Sequence, residues 1–229
     1  MSETELERIR DAYRARDSAA DSPYRWDNPA YVAHMQGLER ALLRALNDAG
    51  VQLAGAKVLD VGCGSGYFLH RLHEYGAGEC HGIDLMENRI AEGRERYPTL
   101  KLQVGSATEL PHANGEFDLV TQFTCLSSIL DGDVRAAAAR EMRRVAGSWI
   151  LSYDLRGLSL GPLRRRGAET PVHSLDASEL RRLFGEPTLL RRTGLPLELA
   201  GHRMLGSALA AFPPLRSHLL GVWRQGPGD

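Results

Sequence analysis

Three glycines alternate with other residues in KVLDVGCGSGYFLHRL, which spans residues 57–72. An apolar run precedes Gly62, Gly64 and Gly66, and the residues after them have helical spacing. A strand that passes through glycines into a helix leaves backbone N–H groups and the helix N-terminus open to a ligand. The stretch therefore predicts a cofactor site that is built largely from the main chain.

The spacing of these glycines differs from that of the common phosphate-binding loops. A dinucleotide loop follows G-x-G-x-x-G, but Tyr67 stands where its third glycine would be. A P-loop needs a lysine after its last glycine, and the lysines of this chain are Lys57 and Lys101. Asp60 ends the predicted strand, and its carboxylate would repel a diphosphate and attract an ammonium group. The loop is thus predicted to hold a zwitterionic cofactor.

A second acid follows the next predicted strand. Asp84 ends the segment CHGID, twenty-four residues after Asp60. A carboxylate at this position can accept two hydrogen bonds from a ribose diol. A glycine loop by itself is a weak signal, but a loop followed by an acid at this interval is specific for a nucleoside-containing cofactor.

The elements that position these residues are predicted from periodicity. From Lys57 onward, short apolar runs alternate with helical stretches, which is typical of βαβ units and a parallel sheet. Strands are predicted at 57–62, 79–84, 100–104, 117–123, 147–153, 188–194 and 217–224. Helical spacing predicts one core-facing surface on Phe68, Leu69, Leu72 and Tyr75 and another on Val134, Ala138, Met142 and Val145.

Helices are also predicted outside this core. One is expected over 3–16, and a second ends near Asn47, before Gly50, with a core-facing side of Met35, Leu38, Leu42, Leu46 and Ala49. Near 175 a capping box predicts a helix start, with Asp176 as the cap, Glu179 reaching back, and Leu175 packing on Leu180.

With these motifs in this order, the chain resembles the class I S-adenosylmethionine-dependent methyltransferases. The matching segments are VLDVGCGSGYFLHRL, GIDL, GSATELPHANGEFDLV and QFTCLSSIL, within residues 57–130. The resemblance implies an α/β, Rossmann-like, doubly wound, seven-stranded, mostly parallel sheet with a closing antiparallel hairpin. It also implies a helical cap over the active site at 1–50 and a core at 51–229, which includes a loop at 155–175 and an insert at 195–216.

The resemblance implies S-adenosyl-L-methionine as the cofactor and assigns residues to its parts. The methionine part is expected at Asp60 and the turn Gly62–Gly66, which includes Cys63, and the ribose at Asp84. Leu85 or Met86 flanks the adenine, while Ser106 and Ala107 border its amino edge, where the family often has Asp in place of Ser106. The remaining predicted contacts are Gln122, at the fourth strand, and Tyr24 with Trp26, as an aromatic lid before the second helix.

Three residues are candidates for a general base: Asp154, His173 and His202. Asp154 ends the fifth strand, at the edge where ligands of open sheets bind, and its alternative role is a cap or a salt bridge with Arg156. His173 lies in the long loop, where an imidazole can take a hydroxyl proton or simply face solvent. His202 lies in the insert that covers substrate in the enzymes the chain resembles.

Composition limits the partners. The formal charge is −1, and residues 151–229 hold eleven Arg against seven Asp or Glu, so no strongly basic surface indicates a nucleic acid. No apolar run is long enough for a membrane span, and the N-terminus lacks the features of a signal peptide, so we expect a cytoplasmic protein. Three distant cysteines predict neither a disulfide framework nor a zinc site, no metal is expected, and the protein is expected as a monomer or homodimer.

The function predicted first is O-methylation of a small hydroxylated metabolite or a sugar-containing natural product. The segments YRWDNP, SSILD and SYDLR resemble a subgroup from bacterial glycan, antibiotic or other secondary-metabolite pathways. The absence of a [DN]-P-P-[YF] motif disfavours methylation of nucleic-acid bases or protein glutamine. The alternatives are N-methylation of a small amine, an NAD-dependent oxidoreductase, and a non-catalytic cofactor-binding partner subunit.

Overall fold

The computed structural model describes residues 3–18, 26–156, 172–194 and 216–226. A seven-stranded sheet lies at its centre. The strands are β1 Val58–Val61, β2 Cys80–Asp84, β3 Lys101–Val104, β4 Phe117–Phe123, β5 Ala146–Leu155, β6 Leu189–Thr193 and β7 His218–Arg224. The helices are α1 Glu3–Ser18, α2 Pro29–Ala49, α3 Tyr67–Glu74, α4 Glu87–Arg96, α5 Cys125–Ser128, α6 Gly132–Val145 and α7 Ala177–Phe184. All seven predicted strands are present.

The strands lie in the order β3-β2-β1-β4-β5-β7-β6. The first five run parallel, and β7 runs antiparallel to β5 and β6. This confirms the predicted doubly wound sheet and its closing antiparallel pair. The order reverses between β1 and β4, and ligands of open α/β sheets bind beyond the carboxyl ends of the strands at such a point. The glycine loop leaves β1 at this edge.

Two apolar layers cover the sheet, because successive strand residues point to opposite faces. Val58 packs in the layer that contains Leu42 of α2 and Leu69 of α3. Leu59 packs in the layer that contains Met142 of α6 and Leu180 of α7. We call these two sides of the sheet the α2 face and the α6 face.

Local signals account for the bounds of α2. The Asn28 side chain accepts a hydrogen bond from Ala30 N at 3.0 Å, and Pro29 occupies the first turn, where no backbone donor is needed. Gly50 ends the helix with φ 77°, a conformation that favours glycine. On the predicted inner side, Ala49 is half-buried and four residues are buried, namely Met35, Leu38, Leu42 and Leu46.

The start of α7 confirms part of the predicted capping box. Asp176 accepts hydrogen bonds from the backbone of Ser178 and Glu179, both at 2.8 Å, and Leu175 and Leu180 are buried in one cluster. The predicted return bond from the Glu179 side chain is wrong. That carboxylate turns away from the helix end to bind Arg135 and His173.

Arg135 joins three parts of the α6 face. Its side chain is only 5% exposed and binds Glu179, with Nε to Oε1 at 2.9 Å. It also donates to the carbonyl oxygens of Ile129 and Leu130, just after α5. Although burial opposes ionisation, hydrogen bonds from His173 and Arg135 hold the pKa of Glu179 below its usual value. The ion pair therefore fixes α7 and His173 against the carboxyl edge of the sheet.

Several predicted features lie outside the described residues. They are Tyr24, His202, most of the loop at 155–175 and nearly all of the insert at 195–216. Among the helices of the described part, none combines the length and apolarity that crossing a bilayer requires. Cys63 and Cys80 are buried free thiols, and Cys125 is half-buried.

Replacing Arg135 by Met should destabilise the fold by about 3–5 kcal/mol, because it leaves Glu179 without its buried partner. Arg182 provides a matched control, since it lies 3.7 Å from the same carboxylate with a side chain that is 64% exposed. Arg182→Met should change stability by about 0.5 kcal/mol or less. Urea unfolding of the two variants measures this difference, and equal losses would contradict the structural role of Arg135.

Candidate functional site

The glycine loop folds back against β2 through its own backbone. Gly62 N and Cys63 N donate to Ile83 O at 2.8 and 3.1 Å, and Gly66 N donates to Cys63 O at 2.9 Å. Gly62, Gly64 and Gly66 have φ angles of 75°, 56° and 85°. Glycine adopts this region without steric cost. All three glycines are thus required by conformation, and the loop presents main chain at the carboxyl edge.

The segment after β4 packs directly on this loop. A Cβ placed on Gly62 would lie 2.8 Å from both Cβ and Sγ of Cys125. Thr124, the preceding residue, has φ 61°, which is uncommon for a residue with a side chain and costs about 1 kcal/mol or more. Thr124 N donates to Tyr153 O at 2.7 Å. The chain is therefore held in a strained turn where β4, β5 and the glycine loop meet.

Asp60 is buried at the end of β1, with 2% of its surface exposed. Its Oδ1 accepts a hydrogen bond from Thr121 Oγ1 at 2.8 Å. Burial raises the pKa of Asp60 to about 7, with the Thr121 hydrogen bond opposing the rise and the nearby charge of Asp84 adding to it. A cation beside the carboxyl group would favour its ionised form. Asp60 therefore fits a positively charged ligand group.

Asp84 accepts hydrogen bonds from the glycine loop and from the segment that follows β2. Its Oδ2 accepts from Gly64 N and its Oδ1 from Met86 N, both at 2.8 Å. Burial raises the pKa of Asp84, and these two backbone hydrogen bonds oppose the rise. A carboxylate oxygen can accept a second hydrogen bond. The ribose contact stays a prediction, and the structure adds a role that sequence reasoning missed: Asp84 holds the glycine loop in shape.

A cavity of about 520 Å³ opens between α1 and the ends of β2 and β3, a size that suits a small-molecule site. It is lined by Arg10, Arg14, Leu85, Met86, Glu87, Asn88 and Val104. Leu85 and Met86 are the residues predicted beside adenine. Val104 is 47% exposed and would give a planar base a second apolar contact. Sequence reasoning missed Val104, Asn88 and the arginines of α1, which no motif marks.

Ser106 and Ala107 lie in the turn after β3. Gly105 N donates to Asp84 O at 2.9 Å, which places the turn beside β2. The Ser106 hydroxyl lies 2.8 Å from Thr108 Oγ1 and accepts from Thr108 N at 3.2 Å, while Ala107 packs on the α6-face cluster. Both residues are half-buried, and their contact with adenine stays a prediction.

Gln122 and Asp154 form a buried network with the backbone of α5, which agrees with the capping role given as the alternative for Asp154. Both residues are 0% exposed. The Gln122 amide accepts from Cys125 N and donates to Asp154 Oδ2, while Asp154 Oδ1 accepts from Ser127 N at 2.9 Å. Burial raises the pKa of Asp154 to about 6. With their polar groups used internally, a cofactor contact by Gln122 and a general base at Asp154 do not fit, and the salt bridge with Arg156 is absent. The pair instead positions α5.

His173 lies at the same edge with part of its surface accessible. Its backbone N donates to Ser127 O at 2.8 Å, and its Nε2 lies 2.8 Å from Glu179 Oε2. The side chain is 35% exposed. An imidazole oriented by a carboxylate is the arrangement of a general base, so the structure keeps His173 as the base candidate among the described residues.

Trp26 lies beside the glycine loop, with its ring 4.6 Å from that of Tyr67.

Helix α1 crosses the carboxyl edge and binds the segment after α5. Glu5 Oε1 accepts from Leu130 N at 2.7 Å, and Arg8 donates to Ser128 O at 2.6 Å. Tyr13 Oη lies 2.6 Å from Ser128 Oγ. The hydrogen bond from Arg8 holds the pKa of Glu5 below its usual value, so this acid stays ionised. These contacts place Arg10 and Arg14 over the cavity.

Comparison with known proteins identifies a domain. Residues 58–147 match the family model described as a methyltransferase domain. This part of the chain is a methyltransferase domain, and the chain is similar to S-adenosylmethionine-dependent methyltransferases. The matched residues run from β1 to the beginning of β5, so they contain the glycine loop, Asp60, Asp84 and the strained turn.

Curated relatives are similar over somewhat more than half of the chain. A ubiquinone biosynthesis O-methyltransferase of Thiobacillus denitrificans is 37% identical over 136 residues, which are 57% of this chain and 57% of that protein. Norajmaline N-methyltransferase of Rauvolfia serpentina is 32% identical over 152 residues, 58% of this chain and 50% of that protein. The chain spans about half the length of the curated relatives it matches. Both O- and N-methyltransferases are therefore among the relatives of this chain.

Solved structures share the fold over nearly the whole chain. Magnesium protoporphyrin IX methyltransferase from Synechocystis, with bound SAH, superposes with a TM-score of 0.65 at 14% identity over 94% of each chain. The putative methyltransferase of Haloferax volcanii, in complex with the Trm112 activator, gives a TM-score of 0.70 at 18% identity, covering 96% of this chain and 98% of that one. At these identities the likeness establishes the fold of this chain.

The raised pKa of Asp60 makes the stability of the protein without ligand depend on pH. In the folded protein the pKa of Asp60 is about 7, above the ordinary value of 3.8, so the protonated carboxyl group favours the folded state. This contribution to stability is complete below pH 3.8 and is lost as the pH rises through 7. The free energy of unfolding of Asp60→Asn, relative to that of wild type, should thus increase by about 2 kcal/mol between pH 5 and pH 8. Urea unfolding measures it. Asp133→Asn, at an exposed site, should show no such trend, and parallel curves for Asp60→Asn and wild type would contradict the raised pKa.

Proposed function

We propose that this chain binds S-adenosylmethionine at the glycine loop and methylates a small hydroxylated molecule. The observation that carries the proposal is Asp60, a buried acid with a raised pKa. When bound, S-adenosylmethionine supplies a methyl group on a positively charged sulfur, which keeps the electron pair of the broken carbon–sulfur bond. The ammonium group of the same cofactor would compensate the charge of Asp60.

The other residues of the site fit the remaining parts of this cofactor. The backbone from Gly62 to Gly66, with Cys63, can follow the methionine part, and Asp84 can accept hydrogen bonds from the ribose. Leu85, Met86 and Val104 line the cavity in which an adenine would lie. We propose that α1 covers this cavity, since Arg10 and Arg14 form part of its wall.

An NAD-dependent oxidoreductase remains the less favourable alternative. Its diphosphate would have to lie beside the carboxyls of Asp60, which is buried, and Asp84, which is half-buried. Like charges in a poorly solvated site repel strongly. The two acids therefore favour a cationic cofactor over an anionic one.

His173 and Glu179 favour oxygen as the methyl acceptor. A hydroxyl group loses a proton when its oxygen attacks, whereas a neutral amine can attack before it loses one. With Nε2–H bound to Glu179, Nδ1 of a neutral His173 is left to accept that proton. The ion pair with Arg135 fixes the position of Glu179, which in turn orients His173. We therefore propose His173 as the general base and O-methylation as the reaction.

Isothermal titration of the purified protein tests the cofactor. S-adenosylhomocysteine should bind and NADH should not. Asp84→Ala should weaken the binding of S-adenosylhomocysteine by about 1.5–3 kcal/mol, which is about tenfold to 150-fold in the dissociation constant, because charge-assisted hydrogen bonds are lost. Gly64→Val should weaken it further, because a β-branched residue at a positive φ distorts the loop. Asp133→Ala is the control and should bind normally. Binding of NADH in preference to S-adenosylhomocysteine would overturn the proposal.

Turnover tests the base. With a hydroxylated acceptor selected by screening for S-adenosylhomocysteine release, His173→Gln should lower kcat by about 100-fold to 10000-fold, the usual contribution of a general base. Its affinity for S-adenosylhomocysteine should stay unchanged. His81→Gln, at the amino end of β2, serves as the control and should retain full kcat. A His173→Gln variant with unchanged kcat would exclude the proposed role.

A further inference from the structure

Three arginines lie together at the carboxyl edge of the sheet, where β5, β7 and β6 run side by side. Arg156 directly follows β5, Arg192 lies near the end of β6, and Arg216 lies just before β7. Arg156 Nη1 donates to Arg216 O at 3.2 Å, and Arg216 Nη1 donates to Arg192 O at 2.6 Å. These hydrogen bonds from side chain to backbone hold the three residues, which we call the arginine cluster, in contact.

Two members of the arginine cluster belong to the α6 face of the sheet. Successive strand residues alternate between the two faces. Arg156 is therefore on the side of Ile150, and Arg192 is on the side of Leu190. Both Ile150 and Leu190 pack in the α6-face layer. The two guanidinium groups thus extend from the same face that carries the proposed general base.

The segment that contains the proposed base is bonded to the end of β5. Leu175 N donates to Leu155 O at 2.9 Å, and the backbone N of His173, two residues earlier, donates to Ser127 O at 2.8 Å. Arg156 is the residue after Leu155. The arginine cluster and the base therefore share the part of the carboxyl edge from β4 to β6, whereas the glycine loop follows β1.

No acid neutralises Arg156 or Arg192 within the part of the chain that the structure describes. Segments 146–156, 172–194 and 216–226 contain four acids. Each of these acids is bound elsewhere, Asp154 by Ser127 N, Asp176 by Ser178 N, Glu179 by Arg135 and Glu186 by Arg181. The two arginines are thus left as neighbouring positive charges.

The surroundings of Arg156 differ from those of an ordinary surface arginine. Its side chain is half-buried, whereas Arg192 is exposed. Burial and the positive charge of Arg192 hold the pKa of Arg156 below its usual value, although a guanidinium group stays charged at neutral pH. An oxyanion beside the two groups would offset both effects. The planar guanidinium also matches two oxygens of a carboxylate or a phosphate.

The strand order sets the distance between this charge and the reaction centre. The glycine loop follows β1 and the strained turn follows β4, while Arg156 reaches from β5 to the start of β7. Neighbouring strands are about 4.8 Å apart, so the arginines lie roughly 5–10 Å beyond the end of β4. A molecule that reaches both places needs a ring, or a chain of similar length, between its hydroxyl group and its anionic group.

We propose that Arg156 and Arg192 bind an oxyanion of the methyl acceptor, either a carboxylate or a phosphate, so that the acceptor is a hydroxylated acid. This rests on the function proposed above. The anion accepts hydrogen bonds from the two guanidinium groups, and the hydroxyl group of the same molecule reaches toward His173 and the cofactor. The arginine cluster thereby selects acids over neutral molecules of the same shape.

Equilibrium dialysis on the full chain, saturated with S-adenosylhomocysteine, tests this proposal with pairs of probes that differ in charge. The pairs are 4-hydroxybenzoate with 4-hydroxybenzamide, 6-hydroxyhexanoate with 6-hydroxyhexanamide, and glucose 6-phosphate with glucose. We expect at least one acid to bind at least tenfold more tightly than its neutral partner, and the pair that shows this distinguishes a carboxylate from a phosphate. If no acid exceeds its neutral partner tenfold, the proposal is wrong.

Variants locate the preference for acids to the arginine cluster. Arg156→Gln keeps a hydrogen-bond donor but removes the charge, and should weaken the acid at least tenfold while the neutral partner is unaffected. Arg192→Gln, at an exposed position, should weaken the acid about fivefold and protects the test against a folding failure of the first variant. Arg191→Gln is the matched control, because it removes the same charge from the adjacent residue of β6, which binds Asp48 on the other face. Equal effects of Arg192→Gln and Arg191→Gln would refute the assignment.

The same samples separate failure of this inference from failure of the proposed function. A wild-type protein that does not bind S-adenosylhomocysteine refutes the proposed function, and with it the basis of the inference. A protein that binds S-adenosylhomocysteine but shows no preference for acids refutes the arginine cluster alone. Retained S-adenosylhomocysteine binding in Arg156→Gln, with loss of the preference for acids, supports both.

Discussion

The structure depends on two carboxyl groups beside a backbone turn. Asp60, which is buried, and Asp84, which is half-buried, end neighbouring parallel strands, and burial together with the charge of Asp84 raises the pKa of Asp60. Asp84 holds the loop by accepting a hydrogen bond from Gly64 N, whereas Asp60 accepts a hydrogen bond from Thr121. Two neighbouring carboxylates repel each other, and a cation beside them would offset this repulsion.

Residues with local signals were predictable from the sequence. The glycine loop, the acids at the strand ends and the seven strands all follow from spacing within a few residues, and all are present as expected. The partners of Gln122 and Asp154 come from β4, β5 and α5, and one-dimensional spacing does not show that their polar groups satisfy one another. Arg10, Arg14 and Val104 were missed for the same reason, since the cavity exists only after α1 crosses the sheet.

Both faces of the sheet combine apolar packing with polar contacts. On the α6 face, Glu5 accepts a hydrogen bond from Leu130 N, Arg8 donates to Ser128 O and Arg135 donates to Ile129 O. On the α2 face, Arg71 of α3 donates to Glu39 of α2, and the rings of Phe68 and Phe123 stack. Directional bonds thus order the side that carries His173.

The contact between Gly62 and Cys125 has a further consequence. With no room even for a methyl group between them, the loop that follows β1 and the turn that follows β4 cannot shift past one another. Thr124, in that turn, is also bonded to the β5 backbone at Tyr153. A displacement of the loop after β1 therefore requires a matching shift of the turn after β4 and of the β5 backbone to which that turn is bonded. The absence of a side chain at Gly62 makes these three segments move together.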